Sequence, residues 1–405
     1  MKTDILFTNI SGMPSENSGG PNKIIFSIIG HLSDLNVSYC SKQNFIIYNA
    51  KKTILNKDGI LNAYKAKIGR DFYLKSALYR KAVTSPFYLR YYFRNLQKSF
   101  HKNSRVLSYE LLHSHDPISM FYFAEKSKKK KILTIHSKGS FFDDFIDFCP
   151  NASRRLDNEL NKLSEMETIS FHKADIVTFP SEAAKLLFLE SKNLEDNYKI
   201  KIVYNGVDLK KINAVNVRKS AVEEITGLKE YEMFIFNVAQ HVKSKRIEVL
   251  IDIVKKLNEA LRKKVILINV GKGAYTHKYF EQIKKNNLHD RVFIIPSLPN
   301  NEIINLMKIC DYFIMPSERV VFDLVILEAL ACGATVIASN NGGNKEAITN
   351  GYNGYLINEF SVDRVIEIIK NKKKEVTLNA VESVKRFSME NMVAGYKNIY
   401  DNIID

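Results

Sequence analysis

The sequence predicts an α/β protein built from two doubly wound, Rossmann-like domains. Three observations carry this. A length of 405 residues is more than one core of ordinary size holds. An apolar content of 45% is that of a globular chain. Short apolar runs alternate with amphipathic helices, and the alternation occurs twice. The halves are residues 1–205 and 206–385, divided at VYNGVD (residues 203–208), where Asn205-Gly206 is a strong turn pair. Two such halves leave a cleft, and open α/β sheets take ligands at the carboxyl ends of their strands.

The first half opens with an apolar strand at residues 4–8. A helix follows Gly19-Gly20, with Ile24, Ile25, Ile28, Ile29 and Leu32 on one side. Apolar runs at 45–48, 111–113, 132–136 and 176–179 read as further strands. The second half begins with a strand at 233–239 and a helix at 246–261, where Ile247, Leu250, Ile251, Val254, Leu257 and Leu261 recur at three- and four-residue steps. Strands at 265–270, 292–295, 312–315 and 335–338 complete it.

No apolar run reaches the roughly 18 to 20 residues that cross a bilayer. The N-terminal stretch, broken by Thr8, Asn9 and Ser11, reads as a first strand and not a secretory signal, so a cytoplasmic chain is expected. Cys40, Cys149, Cys310 and Cys332 lack metal-type spacing and read as reduced thiols.

The net charge is +16, and residues 1–205 hold 31 Lys/Arg against 20 Asp/Glu. Within residues 62–105, eleven Lys/Arg and the single acid Asp71 are interleaved with rings that include Phe72, Tyr73, Tyr91 and Phe100. This mixture suits a peripheral contact with an anionic membrane surface. A surface helical hairpin with a packed aromatic face is the other reading. No nucleic-acid motif is present, and no nucleic-acid partner is expected.

Residues 314–333, IMPSERVVFDLVILEALACG, form the richest stretch. A strand runs into a polar loop, a helix opens near Phe322, and Glu328 lies one turn further in. The first turn of a helix leaves N–H donors unpaired at the positive end of the dipole, where phosphate binds. Gly19-Gly20 offers a similar close backbone approach in the first half. VGKG (270–273) lacks the third glycine of a dinucleotide fingerprint. His113, His115 and Asp116 in LLHSHDP fall at a strand end. Because alternate residues point to opposite faces, the stretch reads as a strand end lining the cleft, not as a metal site.

Residues 314–333 resemble the signature of family four glycosyltransferases of the GT-B fold, PSxxEGFGLVxLEAxAxG. Pro316, Ser317, Phe322, Leu324, Val325, Leu327, Glu328, Ala329 and Gly333 fit. Val320 stands at the first glutamate, with Glu318 two residues out of register, and Asp323 stands at the glycine before the helix. NVAQHVKSKR (237–246) is similar to a family turn with an arginine and a lysine aimed at the donor phosphates. Lys245 matches the lysine and Gln240 takes the arginine position, with His241 beside it.

The resemblance implies a retaining transfer of sugar from a nucleoside-diphosphate donor, UDP-sugar favoured, to a glycan or lipid-linked acceptor in cell-surface polysaccharide or glycoconjugate synthesis. No metal is expected. It implies catalytic roles for His136 (in TIHS, 134–137), Glu328 and Lys245. Donor contacts are implied for Gly19, Gly20, Gln240, Gly271, Ser297 (in IIPSLP, 294–299), Phe322, Asp323, Leu324 and Val325. It also implies that residues 386–405 form a helix crossing back to the first domain. The three departures leave open a catalytically weak or inactive binding or partner subunit.

Overall fold

The computed structural model describes residues 3–10, 14, 21–32, 35–41, 45–49, 52–55, 91, 94–95, 97–98, 100, 109–125, 128–137, 139–140, 157–197, 199–318, 320–371 and 375–404. The chain divides into two compact units, Met1–Tyr204 with Met392–Asp405, and Asn205–Asn391.

The first unit carries β1 (Thr3–Asn9), β2 (Val37–Ser41), β3 (Phe45–Asn49), β4 (Lys52–Leu55), β5 (Tyr109–Ser114), β6 (Lys130–Thr134), β7 (Ile176–Phe179) and β8 (Ile200–Ile202). Their order is β4-β3-β2-β1-β5-β6-β7-β8. From β2 to β8 the neighbours are parallel, whereas β3 and β4 add an antiparallel edge. Parallel neighbours need crossovers, supplied among the described residues by Pro21–Gly30, Pro117–Ala124, Asp157–Lys173 and Glu182–Lys192. Ser181 caps the last of these by accepting from Ala184 N at 3.0 Å.

The second sheet is wholly parallel: β9 (Met233–Val238), β10 (Val265–Val270), β11 (Val292–Ile295), β12 (Tyr312–Met315), β13 (Thr335–Ser339) and β14 (Tyr355–Ile357). Its order is β11-β10-β9-β12-β13-β14. The chain winds outward from β9 in one direction and from β12 in the other, so the loops after β9 and β12 part company at the strand ends and open a crevice there. Burial on both faces explains why these strands read as unbroken apolar runs: Phe234, Ile235, Phe236, Ile266, Leu267, Ile268, Phe313 and Ile314 are fully buried. The helix Ile247–Leu261 buries Ile247, Leu250, Ile251, Ile253, Val254 and Leu257 against this core.

A polar seam runs through the first unit. His113 lies 2.8 Å from Tyr400 Oη through Nδ1 and 2.7 Å from Thr134 Oγ1 through Nε2, and Thr134 is bonded in turn to Thr178 at 2.6 Å. Tyr400 belongs to the last helix, Met389–Ile404, whose residues from Met392 onward pack in this unit. Beside the seam, Asp116 starts the helix Pro117–Ala124: its carboxylate accepts from Ser119 N at 2.7 Å and from Ile10 N at 2.8 Å.

Burial, reinforced by the nearby His136, lowers the pKa of His113 from 6.5 to about 3. Burial raises that of Asp116 from 3.8 to about 6, against the hydrogen bonds from Ser119 and Ile10. For His113 the stabilising contribution is complete above pH 6.5 and is lost as the pH falls toward 3, because the unfolded chain then binds the extra proton. Asp116 acts in the opposite sense, its contribution being lost as pH rises from 3.8 through 6. His136, lowered to about 4 by burial, adds to the histidine side. Stability of this unit should therefore fall between pH 6.5 and pH 4. Urea unfolding followed by tyrosine fluorescence, in a chain without Trp, measures it, and a flat profile across that window contradicts the assignment. Tyr400→Phe should cost about 1 to 3 kcal/mol by leaving a buried ring nitrogen unpaired.

Candidate functional site

At the head of the second sheet, two segments meet beside the β9/β12 switch. After β9 the chain passes through Gln240 and His241 to a short 3-10 turn, Lys243–Lys245, and then Arg246, whose φ of 50° turns the backbone into the helix Ile247–Leu261. After β12, residues 316–323 lead into the helix Leu324–Ala331. Glu318 N donates to Ser244 O at 2.7 Å. Lys245 Nζ lies 3.0 and 2.9 Å from the two oxygens of Asp323, and Arg246 Nε lies 3.4 Å from Glu318 Oε1. The first pair is mostly buried, with the side chains 14% and 19% exposed, whereas Glu318 is 58% exposed. The helix thus begins at Leu324 and not near Phe322, with Asp323 at the N-cap position. Its carboxylate is turned to Lys245 and makes no side-chain cap bond.

The loop's shape is set by glycines of the loop after β13. A Cβ on Gly342 would meet Val320 O at 1.8 Å, and one on Gly343 would meet Val321 O at 2.3 Å and Phe322 Cδ2 at 2.6 Å. Gly343 N donates to Val321 O at 3.1 Å. Phe322 is buried against Phe387, ring centroids 5.3 Å apart, so its side chain is core. Val320 is 1% exposed. The position of the signature's first glutamate is therefore an apolar anchor, and Glu318 faces Arg246.

The turn after β9 is fixed from the other side. A Cβ on Gly271 would meet Ala239 O at 1.9 Å, and one on Gly273 would meet His241 O at 2.4 Å. VGKG is thus a close backbone contact that places Gly271 against the residue preceding Gln240. Gln240 itself is exposed. Gly271 N donates to Ile295 O at 2.8 Å, joining this turn to the end of β11, after which Ser297 is exposed.

His241 is fully buried: Nε2 lies 2.6 Å from Asn269 Oδ1 and Nδ1 lies 2.8 Å from Thr276 Oγ1. Asn269 donates to Asn237 Oδ1 at 2.8 Å, and Asn237 donates to Ile314 O at 2.7 Å. Burial lowers the pKa of His241, opposed by the bond to Asn269. His241 is therefore a neutral member of a buried network and does not replace the cation missing at Gln240. Sequence reasoning missed this network, Arg246 and Gly342-Gly343. The network did leave a signal, since two otherwise apolar strands, MFIFNV and VILINV, each carry Asn at their fifth position.

Glu328 is 6% exposed on the second turn of the helix Leu324–Ala331, and Leu324 and Val325 form its first turn. In the first unit, His136 at the end of β6 lies with Nε2 3.0 Å from His115 Nδ1, the rings stacked at 5.3 Å. His115 Nε2 is buried without a hydrogen-bond partner, and burial, with the nearby His113 and His136, holds the ring's pKa well below 6.5. His113 and His115 lie with centroids 4.3 Å apart. Residues two apart along a strand share a face, which corrects the expectation that these side chains point apart. Gly19 and Gly20 lie outside the described residues.

The family described as glycosyl transferases group 1 matches residues 219–381, and that described as glycosyltransferase family 4 matches residues 62–211. An uncharacterized glycosyltransferase of Methanocaldococcus jannaschii is 28% identical over 297 residues, 70% of this chain and 72% of that protein. The N-acetyl-alpha-D-glucosaminyl L-malate synthase of Bacillus anthracis is 27% identical over 60% of this chain and 63% of its own length. The Escherichia coli UDP-Gal:alpha-D-GlcNAc-diphosphoundecaprenol alpha-1,3-galactosyltransferase is 27% identical over 52% of this chain and 56% of its own length. Among solved structures, Anabaena HepE in complex with UDP-glucose superposes with a TM-score of 0.66 at 17% identity, over 99% of this chain and 100% of its own. With two α/β units, a group 1 match over most of the second and a family 4 match over much of the first, this chain belongs to the family four glycosyltransferases of the GT-B fold and is a nucleotide-sugar-dependent glycosyltransferase.

Proposed function

We propose that the chain transfers a sugar from a UDP-sugar, with retention of anomeric configuration, to a glycan or lipid-linked acceptor in cell-surface polysaccharide or glycoconjugate synthesis. The observation that carries this is the placement of Lys245 beside the N-terminus of the helix Leu324–Ala331, at the switch point of the second sheet. Departure of a nucleoside diphosphate builds negative charge, and a fixed ammonium with first-turn amides of Leu324 and Val325 stabilises it where it forms. The buried carboxylate of Glu328, one turn on, accepts from sugar or ribose hydroxyls. His136, the first unit's candidate catalytic residue in this reading, is held neutral by burial, with its ring fixed by His115. In a front-face displacement the leaving diphosphate itself takes the acceptor proton, so no protein nucleophile is required and an apolar Val320 is tolerated. Backbone contacts at Gly271 and Phe322, together with Gln240 and Ser297, complete the second unit's donor site in this reading, and the donor role expected for Gly19 and Gly20 falls on residues outside the described ones.

The UDP-glucose of the HepE complex supports a uridine donor, and the diphosphoundecaprenol in the name of the Escherichia coli relative supports a lipid-linked acceptor. The basic aromatic segment 62–105 would then rest peripherally on the cytoplasmic membrane face. Most of it lies outside the described residues. Of those described, Arg94, Lys98 and Tyr91 are exposed, while Phe100 is core, packed on Phe123 at 5.3 Å. No helix among the described residues is long and apolar enough to cross a membrane. A weakly active or inactive binding subunit is favoured instead by the buried Val320 and the pairing of Lys245 with Asp323. Turnover of UDP-sugars separates the two.

Lys245→Ala or Glu328→Ala should lower kcat/KM by a factor equivalent to about 2 to 4 kcal/mol with the fold intact, and near-normal turnover in both variants refutes the site. With Lys245 and helix amides meeting the diphosphate, transfer should persist in EDTA; loss on chelation with recovery on manganese contradicts this. Binding to vesicles should rise with anionic lipid and fall with salt. Indifference to anionic vesicles, with efficient transfer to a water-soluble acceptor, removes the membrane role.

A further inference from the structure

The turn after β9 and the loop after β12 pair their charges. Of the turn's three basic side chains, Lys243 is exposed, whereas Lys245 and Arg246 are met by acids of the facing loop, Asp323 and Glu318. The two pairs differ in weight. Arg246–Glu318 is long, at 3.4 Å, and its acid is 58% exposed, so solvent screens it. Lys245–Asp323 is short, engages both carboxylate oxygens and is shielded on both sides.

Asp323 also stands where an incoming anion would. At the N-cap of an eight-residue helix its carboxylate could accept from amides of its own first turn, as Asp116 does for its helix and Asp208 for the helix Leu209–Ala214. It does not: the side chain makes no cap bond and is directed to Lys245. A glycine here, as in the family signature, would leave Lys245 without this counter-anion.

On the reading that this crevice holds the donor diphosphate, we propose that Asp323 is an internal counter-anion that competes with the diphosphate for Lys245 and thereby sets the donor affinity. In the free protein Lys245 is held by Asp323. Donor binding exchanges the lysine–carboxylate bonds for lysine–phosphate bonds and releases the carboxylate, and loss of the nucleoside diphosphate restores the original pair. The exchange weakens both donor and product binding by the strength of the internal bond.

Calorimetric titration of the full chain with UDP and with inorganic pyrophosphate tests this. Asp323→Asn and Asp323→Gly should each tighten both ligands about tenfold or more, and the gain should steepen the loss of affinity with salt. In a Lys245→Gln background the same Asp323→Asn change should give less than about a threefold gain, since the competition requires the lysine. Wild-type protein that binds UDP while neither Asp323 variant binds it more tightly overturns the proposal and leaves the donor site standing. A tenfold gain that persists undiminished without Lys245 also overturns it, because Asp323 then acts by direct repulsion. If neither wild type nor variants bind UDP, ADP, GDP or pyrophosphate, the donor-site reading falls and the proposal with it. Binding by the variants alone supports the proposal in its strongest form. Circular dichroism and thermal melts of each variant establish that the fold is retained.

Discussion

The head of the C-terminal sheet depends on one buried run of hydrogen bonds, from His241 through Asn269 and Asn237 to the carbonyl of Ile314. It crosses β10, β9 and β12, the strands on either side of the switch point, where Asn269 and Asn237 are direct register partners. Amides in an apolar interior are tolerated only when paired, and leaving one unpaired costs more than the pair contributes. The register of the three strands is therefore specified more sharply than interchangeable Val, Ile and Leu contacts would specify it. The loop after β9 is delivered from this frame with its histidine already committed to structure.

Close backbone approach does the rest. Four glycines, Gly271, Gly273, Gly342 and Gly343, each let one loop lie against the carbonyl of another where a Cβ would collide. The turn after β9 is held against β10, and the loop after β12 against the loop after β13, so Lys245 and Asp323 are brought together by two loops packed from opposite sides. A ligand at this crevice meets a surface made chiefly of backbone, in which the few charged side chains have fixed neighbours. That rigidity is why the identity of residue 323 matters: with little freedom to move away, Lys245 takes whatever anion its surroundings supply.

Strands with unbroken apolar runs were legible in the sequence, because both faces of a parallel sheet are buried. β1, β9, β10, β12 and β13 read directly. β2, β4, β8 and β14 did not. Val37–Ser41 is wholly buried yet carries two serines, Lys52–Leu55 opens on Lys and Thr, and Ile200–Ile202 and Tyr355–Ile357, at three residues each, are too short for a period to show. At the site, Lys245 and Glu328 could be found because a local pattern marks a helix start. The start itself was misplaced by two residues, since Phe322 is drawn into the core beneath Gly343 and the helix cannot begin before it. The bond between Lys245 and Asp323 was not legible at all. It joins residues 78 apart in the chain, and only the winding of the sheet places them side by side.

The three departures from the family signature acquire a common physical meaning in this arrangement. Gln240 is exposed and uncharged, with the neighbouring His241 neutral and engaged below the surface, and Val320 is an apolar anchor. These two take a charged side chain out of the crevice, and the third, Asp323, adds a negative one. Among the shielded side chains here, the remaining attraction for an anion rests on Lys245, beside the first turn of the helix Leu324–Ala331. A site with little side-chain charge to spare binds nucleoside diphosphates less tightly, which hinders capture of the donor but also hastens release of the product. In an enzyme whose nucleoside-diphosphate product carries more negative charge than the nucleotide-sugar it came from, weak retention of that product is a benefit, and on the proposal above the internal pair at Lys245 is the structural element that supplies it.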